Sequence, residues 1–192
     1  MVIPRIYLTG SIAIEHGERL IRERQFPGRQ GRVAFVFLSV HRHRSIHRDE
    51  LLGAIWPDDA PAQTDSGLDA ILSKLRSMLK SAGFAAADAG VDVNSKTIAL
   101  QLPSATWIDL EAAANALDEA EGALRRKDTL TAWSMANVAV VISKRPFLAD
   151  VEAPWAEALR VFAKCRELLR DELGVSPSPQ TEAVYLEILR AE

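Results

Sequence analysis

SGLDAILSKLRSMLK, residues 66–80, sets Leu68, Ile71, Leu72, Leu75, Met78 and Leu79 along one stripe at the i, i+3, i+4, i+7 spacing of an amphipathic helix. Projected at about 100° per residue, the opposite face holds Ser66, Ala70, Ser73 and Ser77. Lys74 and Lys80 flank it, and Arg76 lies nearer the boundary. Small side chains let a helix come close to base edges, hydroxyls pair with any base, and flanking cations suit phosphates. A solvated surface, or a small-residue seam against another helix, has the same appearance in this segment alone. The segments around it decide the fold.

Upstream, "RIYLTGSIAIE" and "RLIRERQF", parted by "HG", alternate in short runs and predict a strand, a turn and a strand. "GRQGRVAFVFLSVHRHR" predicts a buried helix, with Val33, Val36, Phe37 and Val40 at helical spacing. "SIHRDELLGAIWP" predicts a second, short helix. Asp49 and Glu50 sit in its first turn, where the dipole favours them, and Pro57 stops it. Downstream, "VDVNSKTIALQL" places a polar "NSK" between two β-prone runs and predicts a hairpin. From Trp107 onward the pattern reads as all helix: "DLEAAANALDEAEGALRR" with Asp109 as N-cap, then "DTLTAWSMANVAVVIS". "APWAEALRVFAKCRELLRDEL" opens with Pro154 and closes at Gly174, and "SPQTEAVYLEILR" follows.

Strands, three helices and a hairpin, in that order, form the layout of a winged helix, whose third helix lies in the major groove. Arg29 and Arg32 of "GRQGR" point the same way. They open a helix, where the dipole disfavours cations, so local stability does not account for them and a phosphate contact does. Pairing with Glu23 or another surface acid is the competing explanation.

The chain of 192 residues suffices for one large domain or two small ones, and 48% hydrophobic with 26% charged residues can bury a core. The net charge of −3 conceals a split. Residues 1–82 carry 12 basic and 9 acidic side chains, a net of +3; residues 83–192 carry 11 and 17, a net of −6. All four histidines are in the first part. A mildly basic front and an acidic back suggest two modules with different partners. "MVIPRIYLTG" lacks the basic leader and apolar run of a secretory signal. The longest apolar run, "VAFVFL", is far short of the ~20 residues that cross a bilayer. A single cysteine, Cys165, excludes an internal disulfide and suits a reducing compartment. A cytoplasmic protein without a membrane partner is expected.

Several candidates for other chemistry carry less. His41, His43 and His47 have no Cys or carboxylate at ligand spacing, and solvated or phosphate-facing histidines in a turn account for them better than a metal. No GxxxxGK[ST], GxGxxG or HExxH occurs. Cys165 lies in a helical pattern with no nearby His or Asn, as a packed thiol would. Trp56, Trp107, Trp133 and Trp155 fall at helix ends or on apolar faces, which suggests core packing rather than base stacking. No enzyme and no cofactor is expected.

"GRQGRVAFVFLSVHRHRSIHRDELLGAIWPDDAP" followed by "SGLDAILSKLRSMLKSAG" resembles the OmpR-type winged helix of SARP-like bacterial regulators. "TWIDLEAAANAL", "PFLADVEAPWAEALR" and "CRELLRDELGVSPSPQTEAVYLEIL" resemble the bacterial transcriptional activator domain that follows it, a bundle of tetratricopeptide-like helix pairs. The resemblance implies a DNA-binding transcription regulator with a helical dimerisation or effector domain, and its DNA-contacting basic positions in the third helix match Lys74 and Arg76. Three departures stand out. The wing offers only Lys96 where the family often has an arginine for the minor groove. The recognition helix opens with Thr64 and Asp65, in place of the usual basic or hydroxyl residues, and Asp65 is expected to repel a phosphate. The "PWAEALR" block runs at Arg160 and Val161 straight into the helix of "CRELLRDELGV", with only "VFAK" between them, whereas helix pairs separate them in the family.

The fold expected is therefore α+β: an N-terminal OmpR-type winged helix-turn-helix over residues 1–103, then a shortened all-α tetratricopeptide-like domain over residues 104–192. The function expected is a DNA-binding regulator of bacterial transcription. Lys74, Arg76 and Lys80 meet the duplex from the third helix, Ser73 and Ser77 face bases, Arg29 and Arg32 hold phosphates, and Lys96 is the DNA-binding residue of the wing. Its expected partners are double-stranded DNA, RNA polymerase or another regulatory protein, and a second copy bound through the acidic tail, as a homodimer. The alternative is a protein–protein interaction module whose winged helix no longer binds DNA specifically. Salt distinguishes the two, because phosphate contacts weaken steeply as salt rises and an apolar interface does not.

Overall fold

The computed structural model describes residues 2–57, 64–85, 89–151 and 154–160. The chain opens with three short antiparallel strands, β1 (Arg5–Tyr7), β2 (Ala13–His16) and β3 (Arg19–Arg22). Ile6, Ile14 and Ile21 lie in register across them and turn one face of the sheet into the core. Gly17, at φ +62°, supplies the left-handed backbone that the β2–β3 hairpin needs. The run "RIYLTGSIAIE", expected as one strand, is two: it folds back after Thr9, and only the pairing of Ile6 with Ile14 reveals the break.

The helix α1 (Gly28–Val40) follows a single 3-10 turn. Its residues 33–39 are all buried, because it sits inside the domain with packed elements on several sides. Gly31 is required there: a Cβ at this position would come within 2.7 Å of the Pro27 ring. A two-residue strand β4 (Ile46–His47) leads into α2 (Arg48–Ile55), and α3 spans Thr64–Ser81. The expected stripe is the buried one: Leu68, Ile71, Leu72, Leu75, Met78 and Leu79 all face the core. The hairpin β5 (Gly90–Val93) and β6 (Thr97–Gln101) pairs with β4 in the order β4-β6-β5. This is the winged helix that the order of segments predicted.

Two short strands were not legible: β4, whose Ile46 and His47 stand in the run expected as the second helix, and the strand of residues 107–108. Trp107–Ile108, assigned to a helix by pattern, forms β7, parallel to β1, so the first sheet runs β3-β2-β1-β7. Two residues show no periodicity, and only the distant β1 gives them strand partners. Asp109 is likewise not an N-cap. It is the first residue of α4 (Asp109–Arg125), after the extended Ile108, and its carboxylate is buried against the first sheet. α4 packs along α5 (Thr129–Ser143) through Ala113, Ala116, Ala120 and Ala123 on one side and Ala139 and Ile142 on the other. Asp128 caps α5 by accepting from the Thr131 amide at 3.1 Å.

Residues 154–160 are helical and return to the winged helix. Trp155 meets Phe37 edge-on at 5.1 Å between ring centres and donates its Nε1–H to the Ala54 carbonyl at 3.2 Å. Gly10 donates to the Pro146 carbonyl at 2.7 Å. The hydrophobic core thus continues from the sheet and α1 into Phe147, Leu148, Val151, Ala156 and Leu159. Core packing holds for Trp56 and Trp155, which lie against the core; Trp107 is half-buried edge-on to Tyr7 at 5.5 Å, and Trp133 is 69% exposed on α5. Helical spacing put Trp133 on an apolar face, but α5 carries apolar residues on more than one side and buries Ala139 and Ile142 instead. Cys165 and the junction from Val161 onward lie outside the described residues.

Candidate nucleic-acid interface

The outer face of α3 is built as its spacing requires. With the leucine stripe buried, Ser66, Ala70, Ser73, Lys74, Arg76, Ser77 and Lys80 are exposed. Ser77 donates its hydroxyl to the Ser73 carbonyl at 3.1 Å, one turn back, which commits its proton and leaves its oxygen able to accept. Lys74 and Lys80 extend from the same surface. Arg76 is placed differently from the lysines, since its Nε donates to the Val91 carbonyl of β5 at 2.8 Å and so ties α3 to the hairpin. Lys96 is exposed at the hairpin tip, and its own carbonyl accepts from the Arg48 amide at 3.0 Å. The hairpin is therefore tied to α3 through Arg76 and to α2 through Arg48.

Arg48 is the residue that sequence reading passed over. Its Nε donates to Asp65 at 2.8 Å, and its Nη2 donates to Asp69 at 2.8 Å and to the Asp65 carbonyl at 3.0 Å. The hydrogen bond to Asp65, then that to Asp69, raises its pKa further above the ordinary arginine value. Asp65, expected to repel phosphate, is thus charge-compensated by a cation from α2. The signal was present: Asp65 and Asp69 stand four residues apart on one side of α3. Arg48 opens a helix, where the dipole offers it nothing. Thr64 begins α3.

The two arginines of α1 part company. Arg29 is exposed in the first turn. Arg32, only 16% exposed, bonds Glu23 and also reaches Asp150 at 2.6 Å. The competing explanation for Arg32, pairing with Glu23, is realised, with Asp150 from the tail connector as a second acceptor. The structure joins α3, α2 and the wing into one surface and engages Arg32 at another, where the 146–151 segment meets the sheet.

His41 and His43 stand in different surroundings. His41 is buried, not solvated, with its Nδ1 at 2.8 Å from the Phe37 carbonyl. The helical turn before it supplies that acceptor. His43 is exposed beside Glu111, which also receives both hydrogen bonds of Arg42 at 2.7 Å. Among the described residues no group of three or more His, Cys, Asp or Glu is arranged to hold a metal. Among them, too, no helix is long and apolar enough to cross a membrane.

Residues 151–189 match the family described as the Bacterial transcriptional activator domain. The fold is similar to that of a solved structure of Mycobacterium tuberculosis EmbR in complex with a low affinity phosphopeptide, with a TM-score of 0.70 and 17% sequence identity. That likeness covers 100% of this chain and 66% of the EmbR chain, so this chain spans slightly less than two thirds of it. No curated protein matches the sequence significantly. The family match and the shared fold together support the resemblance to SARP-like regulators with a bacterial transcriptional activator domain, and they agree with the α+β architecture of a winged helix followed by helices.

Proposed function

We propose that this protein is a DNA-binding regulator of bacterial transcription that works in the cytoplasm, with α3 in the major groove and the wing beside it. One observation carries the reading: the face of α3 that does not build the core is a strip of small and hydroxyl residues bordered by Lys74 and Lys80, fastened to the wing through Arg76. In this reading Ser73 and Ser77 accept or donate at base edges, Lys74 and Lys80 meet phosphates, and Arg29 and Lys96 add contacts to the backbone. Arg76 sets the angle between helix and wing, with its remaining N–H groups toward the duplex. Arg32 contributes only when it leaves Glu23 and Asp150.

Residues 1–103 form the DNA-facing module, and residues 104–192 are the part that meets a second copy, RNA polymerase or another regulatory protein. The reading needs neither a catalytic step nor a cofactor. A specific observation favours the alternative, an interaction module without specific DNA binding: Arg32, a phosphate candidate, is held by two carboxylates. Selection of bound sequences from random duplexes at moderate salt tests the two. Enrichment of a motif, with affinity that falls steeply as salt rises, supports the DNA reading. Absence of duplex binding even at low salt overturns it.

A further inference from the structure

α5 carries no charged residue between Thr129 and Ser143, and it turns four of its large apolar side chains outward. Leu130 is 75% exposed, Trp133 69%, Val138 42% and Val141 56%, while Ala139 and Ile142 face α4. Among the described residues nothing covers the leucine, the tryptophan and the two valines of this face, and a contiguous apolar patch of this kind marks a docking surface. We infer that this outer face of α5 is an isologous interface on which the same face of a second copy packs antiparallel.

The pattern of the face is self-complementary. A two-fold axis between Met135 and Ala136 sets Leu130 opposite Val141 of the other copy, Trp133 opposite Val138, and Ser134 opposite Asn137. Apolar thus meets apolar at both ends and polar meets polar at the centre, as a two-fold contact demands, where each pair occurs twice. With no charge on the helix, no like charges are brought together within the face, and antiparallel packing also aligns the two helix dipoles favourably. The four apolar side chains offer roughly 400 Å² per copy, within the range of functional surface patches but about half of what a standard interface buries on each side. That area fits a dimer that forms at micromolar concentration and is strengthened when two winged helices occupy one duplex.

The inference rests on the self-association in the proposed function and names its surface, so the test is made without DNA. Sedimentation of the full chain over a wide concentration range is expected to show a monomer–dimer equilibrium. Trp133→Lys and Val138→Glu should each weaken the dimer at least tenfold without lowering the melting temperature, because both side chains are exposed. An equimolar mixture of the two variants should recover association, since the two positions face each other across the axis. A wild-type chain that stays monomeric, with a lower melting temperature in both variants, would mean that the face is covered within one chain and would overturn self-association altogether. A dimer that survives Trp133→Lys, or variants that do not rescue each other, would leave self-association standing and overturn this surface.

Discussion

Asp109 and Thr9, 100 residues apart in sequence, are joined twice in a fully buried site: Asp109 Oδ2 accepts from the Thr9 amide at 2.9 Å and from the Thr9 hydroxyl at 2.7 Å. The other carboxylate oxygen accepts from the Leu8 amide and from the Leu110 amide, each at 2.9 Å. One side chain thus satisfies the backbone at the end of β1 and opens α4. It is the polar pin between the sheet of the winged helix and the helical tail. Asp109→Ala would leave several buried N–H groups unpaired at about 1–3 kcal/mol each. A loss of at least about 3 kcal/mol in denaturant unfolding is expected, and a loss below about 1 kcal/mol would deny the pin its importance.

Trp155 makes a second bridge, between residues 154–160 and α1 and α2. Trp155→Phe should keep the ring contacts with Phe37 and Phe147 and lose only the hydrogen bond to the Ala54 carbonyl, a cost of about 1 kcal/mol. Trp155→Ala should cost about 3 kcal/mol or more by opening a cavity. Equal effects of the two substitutions in thermal unfolding would show that the ring contributes nothing beyond its N–H.

For DNA, Lys74→Ala with Lys80→Ala should weaken duplex binding and lower the slope of log affinity against log salt by up to ~2, about one for each lost phosphate contact. Arg29→Ala should weaken binding alike on all sequences. Arg32→Ala should change the slope less than either lysine, because its guanidinium is already engaged by Glu23 and Asp150. A slope as sensitive to Arg32 as to Lys74, measured by fluorescence anisotropy, would mean that DNA draws Arg32 away from its carboxylates.

The cap of α5 responds to acid. The side-chain and backbone hydrogen bonds at Thr131 hold the Asp128 carboxyl below its usual 3.8. A depressed carboxyl pKa adds stability that is present above the unfolded value and lost as pH falls through the folded one. Asp128 should therefore contribute fully above about pH 5 and cease to do so below the folded pKa, while Asp128→Asn, which still caps, should remove that acid-sensitive part. A difference in the pH dependence of melting temperature between wild type and variant, confined to pH below about 5, is the expected result.

Elements whose partners lie in their own segment were legible in the sequence. The α3 stripe, the buried α1, the short α2 with its acidic first turn and the "NSK" hairpin follow from spacing, and their order gives the winged helix. The exposure of Ser73, Lys74, Ser77 and Lys80 follows too, because once one face of a helix is buried the opposite face is settled.

Tertiary structure alone decided the rest. β7 exists because β1 lies beside it, and Asp109 is a pin because Leu8 and Thr9 are there to be held. Arg32 lost its expected freedom to an acid 118 residues away, and Asp65 had its charge answered by Arg48 from another helix. Trp133 stayed outside because the alanines of α4 matched the small side of α5. In the first four cases a short or polar segment carries no period of its own, and the free energy that fixes it comes from a partner elsewhere in the fold.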